Sequence, residues 1–123
     1  MIRLIKDSKH SIKLEFNSSG AVELSTALQD ALHTKEHTVE VGEGSNISSP
    51  NKPVRYLMFA VCNELNLLSV TSDKVCIEID EDEIDYGVER LKECVAGKDF
   101  IPSEFCEVSY NNNTLTIYAS LVK

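Results

Sequence analysis

The sequence predicts an α+β fold: two tandem strand-strand-helix-strand-strand repeats forming antiparallel sheet with two helices packed on it. Three observations predict it. Ile12, Leu14 and Phe16 alternate with Lys13 and Glu15, and Val75, Ile77 and Ile79 alternate with Cys76 and Glu78, the two-residue period of a half-buried strand. Each of these segments runs into a stretch with apolar residues at helical spacing, Leu24, Leu28, Ala31 and Leu32 in one and Ile84, Val88, Leu91 and Val95 in the other. Set one above the other, the two halves match, with Leu28 over Leu91 and Leu32 over Val95.

Taken in order, the first repeat covers about 1–62. "MIRLI" and the strand from Ile12 form a hairpin around the polar turn Lys6-Asp7-Ser8-Lys9. A helix over 19–33 follows Ser18-Ser19-Gly20, where a Ser hydroxyl suits the cap that accepts from a free backbone N–H. Next comes the alternating segment "HTVEV", with Val39 and Val41. Gly42 to Pro53, "GEGSNISSPNKP", is rich in Gly, Ser, Asn and Pro and reads as a mobile surface loop within the repeat. "YLMFA" from Tyr56 reads as a strand because Tyr, Phe, Val and Cys dominate it, and because it matches "LTIYA" in the second half. A helix over 55–64 is the alternative, since Leu57, Val61, Glu64 and Leu65 fall at helical spacing after Pro53.

The second repeat covers about 65–123. "LLSV", the turn Ser72-Asp73-Lys74 and the strand from Val75 repeat the hairpin, and a helix over 82–96 ends at Gly97, which tolerates the left-handed cap conformation. "EFCEVSY", with Cys106 and Val108, and "LTIYA" from Leu115 close the chain. At 123 residues the whole of 1–123 makes one domain with one hydrophobic core.

The formal charge of −8 opposes binding to nucleic acid, because affinity for a phosphate backbone comes from Lys and Arg displacing counterions. It favours encounter with a basic partner. No apolar run approaches a membrane span and the N-terminus carries no secretory pattern, so a cytoplasmic protein with no membrane partner is expected. Cys62, Cys76, Cys94 and Cys106 form no CxxC pair and read as buried small hydrophobes in a reducing compartment.

The chemistry-bearing candidates are few. In "VCIEIDEDEIDYGVER", Asp80 follows a strand and Glu83 stands three residues on, the spacing of a capping box. Acids in a first turn also suit the helix dipole. Read as a calcium loop, "DEDEIDYGVERL" places its Gly inside an amphipathic helix, and His33 and His37, four apart, lack a third ligand. No metal or cofactor is expected. Nucleophile, P-loop and dinucleotide motifs are missing too, so no catalytic residues are assigned and an enzyme is not expected.

What remains is surface. Glu78, Glu81, Asp82, Asp85, Glu89 and Glu93 concentrate acid on the second repeat, with Arg90 and Lys92 as the nearby cations. Asp82, Asp85 and Glu89 share one helix stripe. If Tyr56, Met58 and Ala60 face the core, then Leu57, Phe59 and Val61 face outward as an apolar patch that a dimer mate or the helix of its own chain would cover.

The tandem layout, carried by "IKLEF…LSTAL" over "VCIEI…VERLKE", resembles the Whirly-type fold. Small acidic chains of this length and layout are similar to the immunity proteins of bacterial contact-dependent inhibition and related polymorphic toxin systems. The resemblance implies a protein that binds and neutralises a cognate toxin, basic and nuclease-like, by direct contact. Single-stranded nucleic acid on such a fold needs basic and aromatic residues on the sheet, and this chain has few basic residues and no Trp. Two other functions compete: a homodimeric interaction module using the Leu57, Phe59 and Val61 face, and a small-ligand binder or enzyme with a pocket between sheet and helices.

Overall fold

The computed structural model describes residues 1–47 and 53–123. The described residues form, in chain order, β1 (Ile2–Ser8), β2 (Ser11–Phe16), α1 (Ser18–Thr34), β3 (Glu36–Glu40), β4 (Tyr56–Val61), β5 (Leu67–Thr71), β6 (Lys74–Ile79), α2 (Glu81–Val95), β7 (Glu104–Tyr110) and β8 (Asn113–Leu121). Residues 56–61 are therefore strand, not helix. The fold is α+β, with both helices side by side against one eight-stranded sheet.

That sheet is mixed, where antiparallel pairing was expected. Its order is β1-β2-β8-β7-β5-β6-β4-β3. The hairpins β1–β2 and β5–β6 are antiparallel, but β8 lies parallel to β2 and β4 parallel to β6. The last strand of each half thus pairs with the hairpin of the other half. Alternation in sequence dictates which side chains face inward; it carries nothing about which strand lies alongside, which long-range packing decides.

Local chemistry explains the element ends. Asn17, not a Ser, caps α1: its Oδ1 accepts from Gly20 N–H and from the N-terminal ammonium of Met1, both at 2.9 Å. Gly97, at φ +92°, ends α2 as expected: its N–H donates to Cys94 O, and Lys98 N–H reaches back to Glu93 O. Asn111 and Asn112, both at positive φ, make the two-residue turn of the β7–β8 hairpin.

The core lies between the helices and one sheet face. Leu4, Phe16, Leu24, Leu28, Leu57, Phe59, Val75, Ile77, Ile79, Ile84 and Ile117 are all fully buried there. A register shift between Glu104 and Cys106 lets the consecutive residues Phe105 and Cys106 both enter it. Val95 does not: it is 45% exposed, and Cys94 takes the inward position of the last turn. Cys76, Cys94 and Cys106 are buried and Cys62 half-buried, all as free thiols. The void at the centre, lined by Leu14, Leu28, Phe59, Leu91 and Phe105 among others, is about 10 Å³. A water needs about that much space, so this void leaves no room for an organic ligand.

Gly42 to Ile47 is not the free loop the composition suggested. It runs along the outer edge of β1, hydrogen-bonded to Ile2, Leu4 and Lys6, with Ser45 and Ile47 buried. Residues 48–52 of that predicted loop lie outside the described residues. Because β1 and β3 stand at opposite ends of the strand order, this link between them requires the sheet to curl around the helices.

Candidate partner-binding surface

The acids in and around α2 divide by structural task. Asp80 Oδ1 accepts from Glu83 N–H at 3.0 Å, the first half of the expected capping box. The second half runs through a residue that sequence reasoning missed. Asn66 Oδ1 accepts from Asp80 N–H at 3.2 Å, and Asn66 Nδ2 donates to Glu83 Oε2 at 3.0 Å and to Glu107 O at 3.1 Å. Asn66 thereby ties the 62–66 turn, the start of α2 and β7 together. Only its Asn identity within a turn could have hinted at this, since its partners lie 14, 17 and 41 residues away. Burial pushes the Glu83 carboxyl above its ordinary range, opposed by the Asn66 hydrogen bond. Asp80 and Glu83 belong to the fold.

Glu93 makes an exposed ion pair with Lys98 at 3.3 Å. Glu78 is not on the helix at all; it projects from β6 on the uncovered sheet face, half-buried beside Leu67 and Ala60. Glu81, Asp82, Asp85 and Glu89 stand exposed along α2 without an ion pair among the described residues.

Arg90 does not compensate them. It is 5% exposed, with its guanidinium 4.0 Å from the Tyr86 ring centroid and 4.2 Å from that of Phe100. Nη1 donates to Pro102 O and to Glu104 O, both at 2.7 Å. Desolvation lowers its pKa, and the ring faces and carbonyl dipoles stand in for a carboxylate. The nearest exposed cation on α2 is Lys92. Asp85, Glu89 and Lys92 line an open cleft of about 590 Å³ with Asp30, Leu32 and His33 of α1 and with Val88.

The apolar half of the expected site is corrected. Leu57 and Phe59 are fully buried beneath the helices, and Val61 packs against the same core. The β4 register sets Leu57 beside Val75 and Phe59 beside Ile77, both core residues, so Tyr56, Met58 and Ala60 take the uncovered face. The two parities of an all-apolar strand bury similar area, and the neighbouring strand chose between them.

His37 pairs with Asp30 at 3.3 Å, and no group of three metal-ligating side chains occurs among the described residues. No helix among the described residues is long and apolar enough to cross a membrane. Comparison with protein-family models and with curated proteins gives no match.

Proposed function

We propose that this chain is an immunity protein of the contact-dependent inhibition type, acting in the cytoplasm without catalysis of its own, which binds and neutralises a basic, nuclease-type toxin. One observation carries the reading: α2 presents Glu81, Asp82, Asp85 and Glu89 to solvent while its arginine is drawn into the core. Like charges at i, i+4 disfavour a helix. A basic partner converts that local penalty into attraction, and the field of a −8 chain accelerates the encounter. The solid interior favours recognition by surface over a buried ligand.

The experiment pairs the chain with the product of the adjacent gene. Co-expression should protect cells from that product. The triple reversal Glu81→Lys, Asp85→Lys and Glu89→Lys should leave thermal stability nearly unchanged and slow association about tenfold or more at low salt. The difference should close as salt rises. An adjacent product that neither harms cells nor binds, or an association rate indifferent to the reversal, sinks the proposal.

A further inference from the structure

The two edges of the sheet are finished differently. Along β1, residues 42–46 satisfy the outward backbone groups. Gly42 N–H donates to Ile2 O at 2.7 Å, Asn46 N–H to Leu4 O at 2.8 Å, Lys6 N–H to Asn46 O at 2.9 Å and Leu4 N–H to Ser45 Oγ at 3.1 Å. Along β3 the register decides which groups turn outward. Val61 N–H donates to Lys35 O, Val41 N–H donates to Arg55 O, and between them His37 pairs with Phe59 and Val39 with Leu57. The odd-numbered residues therefore bond β4, and Glu36, Thr38 and Glu40 turn their N–H and C=O groups away from it. Thr34 Oγ1 donates to Glu36 O at 2.8 Å. Among the described residues, no other hydrogen bond reaches these outward groups.

We infer that the open edge of β3 is a docking site for an extended, basic segment of a partner protein, which adds to the sheet as a further strand. Exposed strand edges accept such segments through main-chain hydrogen bonds, with side chains at alternate positions setting specificity. Here the side chains select the occupant. Glu36, Thr38 and Glu40 are exposed on one face of the strand. A second copy pairing antiparallel about Thr38 would set Glu36 against Glu40 and Glu40 against Glu36, two directly opposed like-charge pairs. A strand with Lys or Arg at alternate positions makes both pairs attractive. The acid also continues inward on the same face, since Glu36 neighbours Ala60 on β4 and Ala60 neighbours Glu78 on β6. The charges that hold two such edges apart are those that fit a basic strand.

The inference takes from the proposed function only the basic character of the partner, and it uses β3 where that reading uses α2. The test follows amide exchange by NMR in the full chain at low salt, with two short synthetic peptides as probes, one alternating Lys and Val and one alternating Glu and Val. The Lys peptide should slow exchange of the Thr38 and Glu40 amides about tenfold or more, and the Glu peptide should not. Thr38→Pro should abolish this, because it removes an outward N–H and leaves the β4 ladder intact. Glu36→Lys with Glu40→Lys, which keeps the backbone, should reverse the peptide preference. Amides left unprotected by the Lys peptide, equal protection by both peptides, or a concentration-dependent dimer that protects the same amides would each overturn the inference. Reversing the acids of α2 should leave the edge protection unchanged. Edge protection without α2-dependent steering refutes the proposed function alone, and steering without edge protection refutes this inference alone.

Discussion

Gly87 lies in the middle of α2, where intrinsic helix propensity favours Ala over Gly by about 1 kcal/mol. Packing argues the other way. A Cβ at Gly87 would lie 2.6 Å from Phe105 Cε1 and 3.4 Å from its Cδ1 and Cζ. An unstrained carbon contact needs about 3.5 Å, so the helix or the ring must move by about 1 Å. The ring is held: Phe105 is buried and meets Phe59 and Phe100 edge-on, at centroid distances of 6.4 and 6.0 Å. Phe100 in turn lies under the Arg90 guanidinium. Overpacking of this kind costs about 1–3 kcal/mol, so Gly87→Ala should lose up to about 2 kcal/mol net of the propensity gain. Urea unfolding should show a lower midpoint at unchanged slope, and the melting temperature should fall by up to about 8 °C. In a Phe105→Leu background the cost of Gly87→Ala should shrink, giving a coupling above about 0.5 kcal/mol. A Gly87→Ala protein more stable than the parent by about 0.5–1 kcal/mol, as at an open helix position, would refute the packing described here.

Leu91→Ala should cost about 2–5 kcal/mol, because Leu91 is 3% exposed against the central void; a loss below about 0.5 kcal/mol in denaturant unfolding would mean the helix face is misassigned. Arg90→Met should cost about 2–4 kcal/mol, since it strips a charged donor from two carbonyls at the edge of the core, and Arg90→Lys should recover only part of it. For Glu83 the sign follows from its raised pKa: the folded chain holds the proton more tightly than the unfolded one. The group therefore costs stability as pH rises above 4.5 through the raised value, and the full penalty applies beyond it. Glu83→Gln keeps an acceptor for Asn66 Nδ2 and should flatten that slope, matching or exceeding the parent's stability at neutral pH; a large loss there would show that Asn66 needs the charge.

Both helices were legible to within a residue at each end, 19–33 against Ser18–Thr34 and 82–96 against Glu81–Val95, because apolar spacing and polar caps agree there. The inward faces of β2 and β6 were legible from alternation. β4 was legible as a strand but not in phase, since Tyr56 to Val61 is apolar throughout and a one-residue shift costs the sequence pattern nothing. The sense of pairing was hidden for a related reason: β8 beside β2 and β4 beside β6 join residues that no local pattern connects. The Asn66 relay and the Arg90 cage share that limit. Each depends on groups 12 or more residues away that a turn or a bulge brings into place.

Arg90 also shows how one buried residue sets the charge of a surface it does not join. On the helix it stands about 100° around from Glu89, about 140° from Asp85 and on the side opposite Glu81, off the stripe those three acids share. Inside, it donates to the carbonyls of Pro102 and Glu104 and stacks on Tyr86 and Phe100, which fixes the turn that delivers β7 to the sheet. Folding favours the inward position, because a single guanidinium nitrogen joins both carbonyls and ties α2 to that turn. The same commitment leaves Lys92 as the one exposed cation of α2. With Arg90 inside, α2 exposes Glu81, Asp82, Asp85 and Glu89 beside a single cation, and a basic partner is the chemistry that relieves that stripe without reopening the core.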